Sequence, residues 1–184
     1  MRPILAAAAL AALAACDSVG GLMSNVSTNV QVASNYRPTD YRLAGENRDM
    51  WVVVGGAVPG ADAASLQQAT IAALQRNATM TTRFTAAPQN AHRAYKTVIV
   101  FNGPATIQAS ALCREPSQPI AVAANTELRL QAVFCRDDQF LTEVYGRAGG
   151  GNSLGNTNFD ALIGQAMIAL YEAPREDQKD TPGD

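Results

Sequence analysis

Ser153 lies in Gly151-Asn152-Ser153-Leu154-Gly155, the G-x-S-x-G order in which a tight strand-to-helix turn lifts a nucleophilic serine out of a sheet. Acyl transfer through such a serine needs an imidazole to take its proton. The chain has one histidine, His92, and it precedes the serine, whereas in that motif the histidine follows. A serine hydrolase using Ser153 with His92 is one expectation, and a flexible glycine connector is the other reading of the same residues. Glycines ahead of a helix would also expose backbone N–H groups to an anion. The Gly-Lys-Ser/Thr ending of a P-loop and the G-x-G-x-x-G of a dinucleotide fold are absent, so no nucleotide cofactor is expected. His92 has polar neighbours in Gln89, Asn90 and Arg93 and reads as a solvated loop residue. Asp137 and Asp138 are adjacent and fit a hairpin tip better than an acid and base pair. Trp51 and Tyr95 read as core residues. No catalytic, cofactor or metal site is assigned.

Positioning any of these groups requires a scaffold, and the hydrophobic pattern supplies one. Trp51-Val52-Val53-Val54, stopped by Gly55-Gly56, is a strand; an alanine-rich helix follows over Asp62–Arg76, capped by Asp62, with Leu66, Ala69, Ala73 and Leu74 on one side. Residues 81–85 read as extended, residues 95–101 as a strand and residues 105–112 as a weaker strand. Leu128, Leu130, Ala132 and Phe134 alternate with Arg129, Gln131 and Val133, and Phe140, Thr142 and Val144 alternate with Leu141, Glu143 and Tyr145. A three-residue turn over Arg136-Asp137-Asp138, with Asp138 left-handed, would put Leu130, Phe134, Phe140 and Val144 on one face. Phe159, Leu162, Ile163, Ala166, Met167 and Leu170 then follow a helical stripe that Pro174 ends. The expectation is an α+β fold, a two-layer sandwich of a mainly antiparallel sheet with two helices on one face.

The amino terminus has a different character. Arg2, then Ile4-Leu5 and a run of alanines, then Ala14-Ala15, give the charged, apolar and small-residue order of an export signal, too short to span a bilayer of ~30 Å. Its end, Leu13-Ala14-Ala15-Cys16, resembles the lipobox of bacterial lipoproteins. That resemblance implies cleavage before Cys16, a diacylglyceryl group on Cys16, and attachment to a membrane with no spanning helix. Within that family, Asp17 directly after the cysteine implies a lean towards the inner membrane. The chain then divides into a signal peptide (1–15), the lipidated cysteine and a flexible tether (16–44) in which the alternation of Val30 and Val32 with polar residues could begin a short strand, a single α+β domain (45–173) and a disordered tail (174–184).

With Cys16 set aside, Cys113 and Cys135 form a pair in an exported chain and are expected to be disulfide-bonded, which stabilises by roughly 3 kcal/mol. Neither has a histidine or a third cysteine nearby, so a metal site is not expected. With 47% hydrophobic residues, 16% charged residues and a formal net charge of -2, the chain reads as a globular domain without the basic surface a nucleic acid requires. The resulting expectation is a lipoprotein of the bacterial cell envelope, facing the periplasm. It would be a non-enzymatic accessory or interaction module for an envelope protein partner. The alternatives are the Ser153 hydrolase and a periplasmic binder of a small ligand on the open sheet face.

Overall fold

The computed structural model of the protein describes residues 26–172, so the segment read as an export signal, Cys16, Asp17 and the stretch read as a disordered tail lie outside the described residues. The described chain runs β1 (Val26–Val32), α1 (Pro38–Gly45), β2 (Asp49–Gly56), α2 (Ala63–Arg76), β3 (Arg83–Thr85), β4 (Tyr95–Phe101), α3 (Ala109–Arg114), β5 (Leu128–Arg136), β6 (Gln139–Ala148) and α4 (Phe159–Tyr171). Six strands form one sheet in the order β1-β6-β5-β4-β2-β3. β1, β6, β5 and β4 are antiparallel neighbours, whereas β2 is parallel to both β4 and β3. The architecture is therefore α+β with a mostly antiparallel sheet, as its patterning indicates.

α2 and α4 pack on one face, because each carries an apolar stripe that only a sheet can cover. Leu66, Ala73 and Leu74 of α2 and Phe159, Leu162, Ile163, Ala166, Met167 and Leu170 of α4 are buried against Leu128, Leu130, Ala132, Phe134 and Val144. Asp62 caps α2 by accepting the Ser65 N–H at 2.7 Å. Tyr171 closes the far end of this core. Its ring stacks on Tyr41 at 4.1 Å between centroids and meets Phe134 edge-on at 5.3 Å, and its hydroxyl shares a 2.6 Å hydrogen bond with Thr97.

Four expectations are corrected. From residue 26 onwards the stretch read as tether is structured: β1 pairs with β6 from Val26↔Ala148 to Val32↔Thr142, and α1 buries Tyr41 and Ala44 beside α2 and α4. β1 mixes valines with polar residues, and main-chain pairing to β6 holds it together with the packing of Val26 and Val32 against the main core. Residues 105–112 hold no strand; α3 begins at Ala109 and places Ala109, Leu112 and Cys113 on the opposite sheet face, as its alanines and leucine favour a helix.

The third correction concerns the β5–β6 hairpin. Arg136 pairs directly with Gln139 across a two-residue turn, and Asp137 rather than Asp138 takes the left-handed φ of 54°. The register steps from Phe134↔Thr142 to Cys135↔Phe140, which makes Leu141 the extra residue of a bulge. Phe140 consequently leaves the face of Val144 and packs beside Val133 and Cys135, while Leu141 enters the main core. Fourth, Trp51 is half-buried and outside both apolar clusters, whereas Tyr95 is buried in the main core.

The second face carries a smaller cluster of Val98, Val100, Ala109, Leu112, Cys113, Val133 and Cys135. A disulfide joins Cys113 of α3 to Cys135 of β5. α3 therefore covers this face over β4, β5 and β6 near the β5–β6 turn, and the face stays open over β5, β6 and β1 towards the end where β1 begins.

Candidate functional site

Strand register lays out the open face in rows. Arg129, Arg147 and Ser27 are opposite one another across β5, β6 and β1; Gln131, Tyr145 and Asn29 form the next row, and Val133, Glu143 and Gln31 the third. The first two rows line a cleft of about 570 Å³, whose remaining wall comes from the segment after β4, including Pro104, Ala105, Ala123 and Asn125. Its size falls within the roughly 300–1,000 Å³ of small-ligand sites.

The wall is fixed by Asn102, fully buried at the end of β4 with a φ of 51°, a conformation that asparagine tolerates better than most residues. Its Nδ2 donates to the Ala57 carbonyl at 2.9 Å and to Asn152 Oδ1 at 2.8 Å, and its Oδ1 accepts the Arg129 N–H at 3.2 Å. Asn152 Nδ2 donates in turn to the Asn125 carbonyl at 3.1 Å. Three loops are thus tied at one edge of the cleft.

The floor is a buried polar cluster. Gln131 Nε2 donates to the Ile107 carbonyl at 2.9 Å and to Glu143 Oε1 at 2.6 Å, and lies 3.1 Å from the Tyr145 hydroxyl. Burial, followed by the hydrogen bond and charge of Glu143, pushes the Tyr145 phenol up to about 12, so it stays protonated at neutral pH. The rim carries two exposed arginines. Arg129 donates to Glu127 Oε1 from Nη2 at 2.9 Å, and Arg147 donates from Nε to Ser27 Oγ at 3.0 Å. Among the described residues Arg147 has no carboxylate partner within salt-bridge distance.

The residues singled out for chemistry are not brought together. His92 accepts the Ala94 N–H on Nδ1 and sets its ring edge-on to Tyr95, at the start of β4. Ser153 follows Asn152, which is bonded to Asn102 at the other end of that strand. Seven strand residues at ~3.3 Å each hold the two roughly 20 Å apart. The serine also lacks the tight strand-to-helix turn of a nucleophile elbow, since β6 ends at Ala148 and α4 begins only at Phe159. The glycine-rich stretch is a bonded wrap rather than a loose connector: Asn156 Nδ2 donates to the carbonyls of Gly149 and Gly151, and Asn158 Nδ2 donates to Gly149. Asp137 and Asp138 form the exposed hairpin tip. Among the described residues no group of three or more His, Cys, Asp or Glu is placed to hold a metal, and no helix is long and apolar enough to cross a membrane.

The alternation in β5 and β6 already puts Arg129, Gln131, Glu143 and Tyr145 on the face away from the apolar residues. The asparagine-tied wall and the contribution of β1 carry no sequence signal of that kind, because both depend on contacts between distant segments.

No protein-family model matches the sequence, and no curated protein matches it. Among solved structures, the PelC dodecamer from Paraburkholderia phytofirmans is similar at 11% identity with a TM-score of 0.46, covering 79% of this chain and 98% of that one. A variant of the same PelC aligns at 12% identity and a TM-score of 0.45, covering 82% of this chain and 99% of the other.

Proposed function

We propose that the chain is a bacterial envelope lipoprotein, held on a membrane by lipid on Cys16, whose domain serves as a non-enzymatic binding module through the cleft on β5, β6 and β1. The observation that carries the binding role is the cleft itself, a concave face lined by both polar side chains and apolar surface, whose walls are fixed by buried hydrogen bonds. The lipobox-like Leu13-Ala14-Ala15-Cys16 supports the anchor, and the Cys113–Cys135 disulfide suits an exported chain. Asp17 favours the inner membrane. The wide separation of Ser153 from His92 favours binding over acyl transfer.

Nine residues lie between Cys16 and Val26, a span of at most about 35 Å when fully extended. Ser27, Thr28 and Asn29 follow directly and line the cleft, so this reading keeps the cleft near the membrane surface. Native mass spectrometry of the full-length protein extracted from membranes tests the binding role. The expected spectrum contains a non-covalent adduct that Asn29→Trp, which fills the cleft, removes. A spectrum with no adduct, or with the same adduct in both proteins, contradicts the reading.

A further inference from the structure

Resting on that reading of the cleft, we infer that its ligand is an acidic saccharide whose carboxylate is held at Arg147 and Arg129. Like charges directly opposite on neighbouring strands are destabilising, yet these two arginines are register partners on one face. Glu127 engages Nε and Nη2 of Arg129, at 3.3 and 2.9 Å. Arg147 spends only Nε, on the neutral Ser27 hydroxyl. Two guanidiniums set against the single Glu127 carboxylate leave one positive charge at this rim. A singly charged carboxylate balances it, and a guanidinium binds a carboxylate through two parallel N–H bonds. A phosphate group, at about −1.5 to −2 near neutral pH, overcharges the rim in the presence of Glu127.

The adjoining row suits the uncharged part of such a ligand. Asn29 offers an exposed amide, Tyr145 a half-buried ring, and Pro104 with Ala105 a small apolar wall opposite. An exposed amide and an aromatic face beside a cation match a hydroxyl-rich ring that bears one carboxylate. Glu143, buried behind Gln131 and Tyr145, makes the site unfavourable for ligands with several negative charges.

The test is calorimetric titration of the full-length lipidated protein in detergent with galacturonate, its neutral counterpart galactose, and galactose 1-phosphate. Galacturonate is expected to bind at least about tenfold more tightly than galactose, since a hydrogen bond to a charged group contributes about 1.5–3 kcal/mol and 1.4 kcal/mol is tenfold. That preference is expected to weaken as salt rises, to disappear in Arg147→Gln and to return in part in Arg147→Lys. Arg147 is exposed, and Arg129→Gln provides a second variant should the first fail to fold. Equal binding of the acidic and neutral sugars, an Arg147→Gln protein that keeps the preference, or tighter binding of the phosphate each overturns the inference while leaving the cleft as a binding site. Absence of binding by all three, with the native adduct present, overturns the saccharide class alone; absence of both overturns the cleft reading too.

Discussion

One asparagine side chain joins the ends of β2 and β4, the start of β5 and the glycine-rich wrap. Removing the amide of Asn102 leaves the Ala57 carbonyl and the Arg129 N–H short of partners, and the left-handed backbone then burdens an alanine. Asn102→Ala is expected to lose about 2–4 kcal/mol in urea unfolding, and Asn102→Gly to recover about 1 kcal/mol of that by relieving the backbone alone. Equal losses would show that the backbone conformation contributes nothing. Asp49 makes a separate connection: Arg83 donates to it from Nε and Nη2 at 2.8 and 2.7 Å, and the Gln89 N–H at 2.7 Å. These bonds hold its carboxyl well below the usual carboxylate range. A depressed pKa means stability that is present above the unfolded value near 4 and lost as pH falls towards the folded value. The melting temperatures of wild type and Asp49→Asn should therefore differ most above about pH 5 and converge in acid; a constant gap would contradict the assignment. Neither residue is legible in the sequence, because each acts on segments tens of positions away.

Elements with their own periodicity are the legible ones. β4 is a run of β-branched and aromatic residues, and α2 and α4 have continuous apolar stripes, so local pattern and tertiary position agree. Leu162, fully buried in α4, should cost about 2–5 kcal/mol on truncation to alanine in chemical denaturation. β1 and α3 are the less legible ones. In β1 the alternation of Val30 and Val32 marks only a short strand, and α3 is a six-residue helix whose place is set by a covalent bond to β5. Replacing Cys113 and Cys135 together by serine should lower stability by roughly 3 kcal/mol. Because both sulfurs are fully buried, the native protein is expected to resist mild reductant until it is unfolded, as mass-tagging of free thiols would report. Rapid tagging under native conditions would show that α3 opens. The bulge at Leu141 explains why strict alternation fails in one strand. A single inserted residue moves Phe140 to the disulfide face and keeps Thr142, Val144 and Gly146 on the helix side.

At the scale of the molecule, the fold separates its two faces. One is packed by α1, α2 and α4; the other is closed by α3 over one end of β4, β5 and β6 and open as a cleft over the other end of β5, β6 and β1. The polar positions of β5 and β6 are visible in the sequence as the residues between the apolar ones. Their enclosure is not, because it requires β1 and the segment after β4 to converge on them. The chain order places β1 directly after the short segment that follows Cys16, so the proposed anchor and the cleft lie at neighbouring points of the chain. The central claim is that this domain works on a membrane, and the intact mass of the membrane-fraction protein tests it most directly, measured beside a Cys16→Ala variant. The account predicts a chain beginning at Cys16 with the added mass of its acyl groups, and no such product from Cys16→Ala. An unacylated soluble protein beginning at another residue would contradict it.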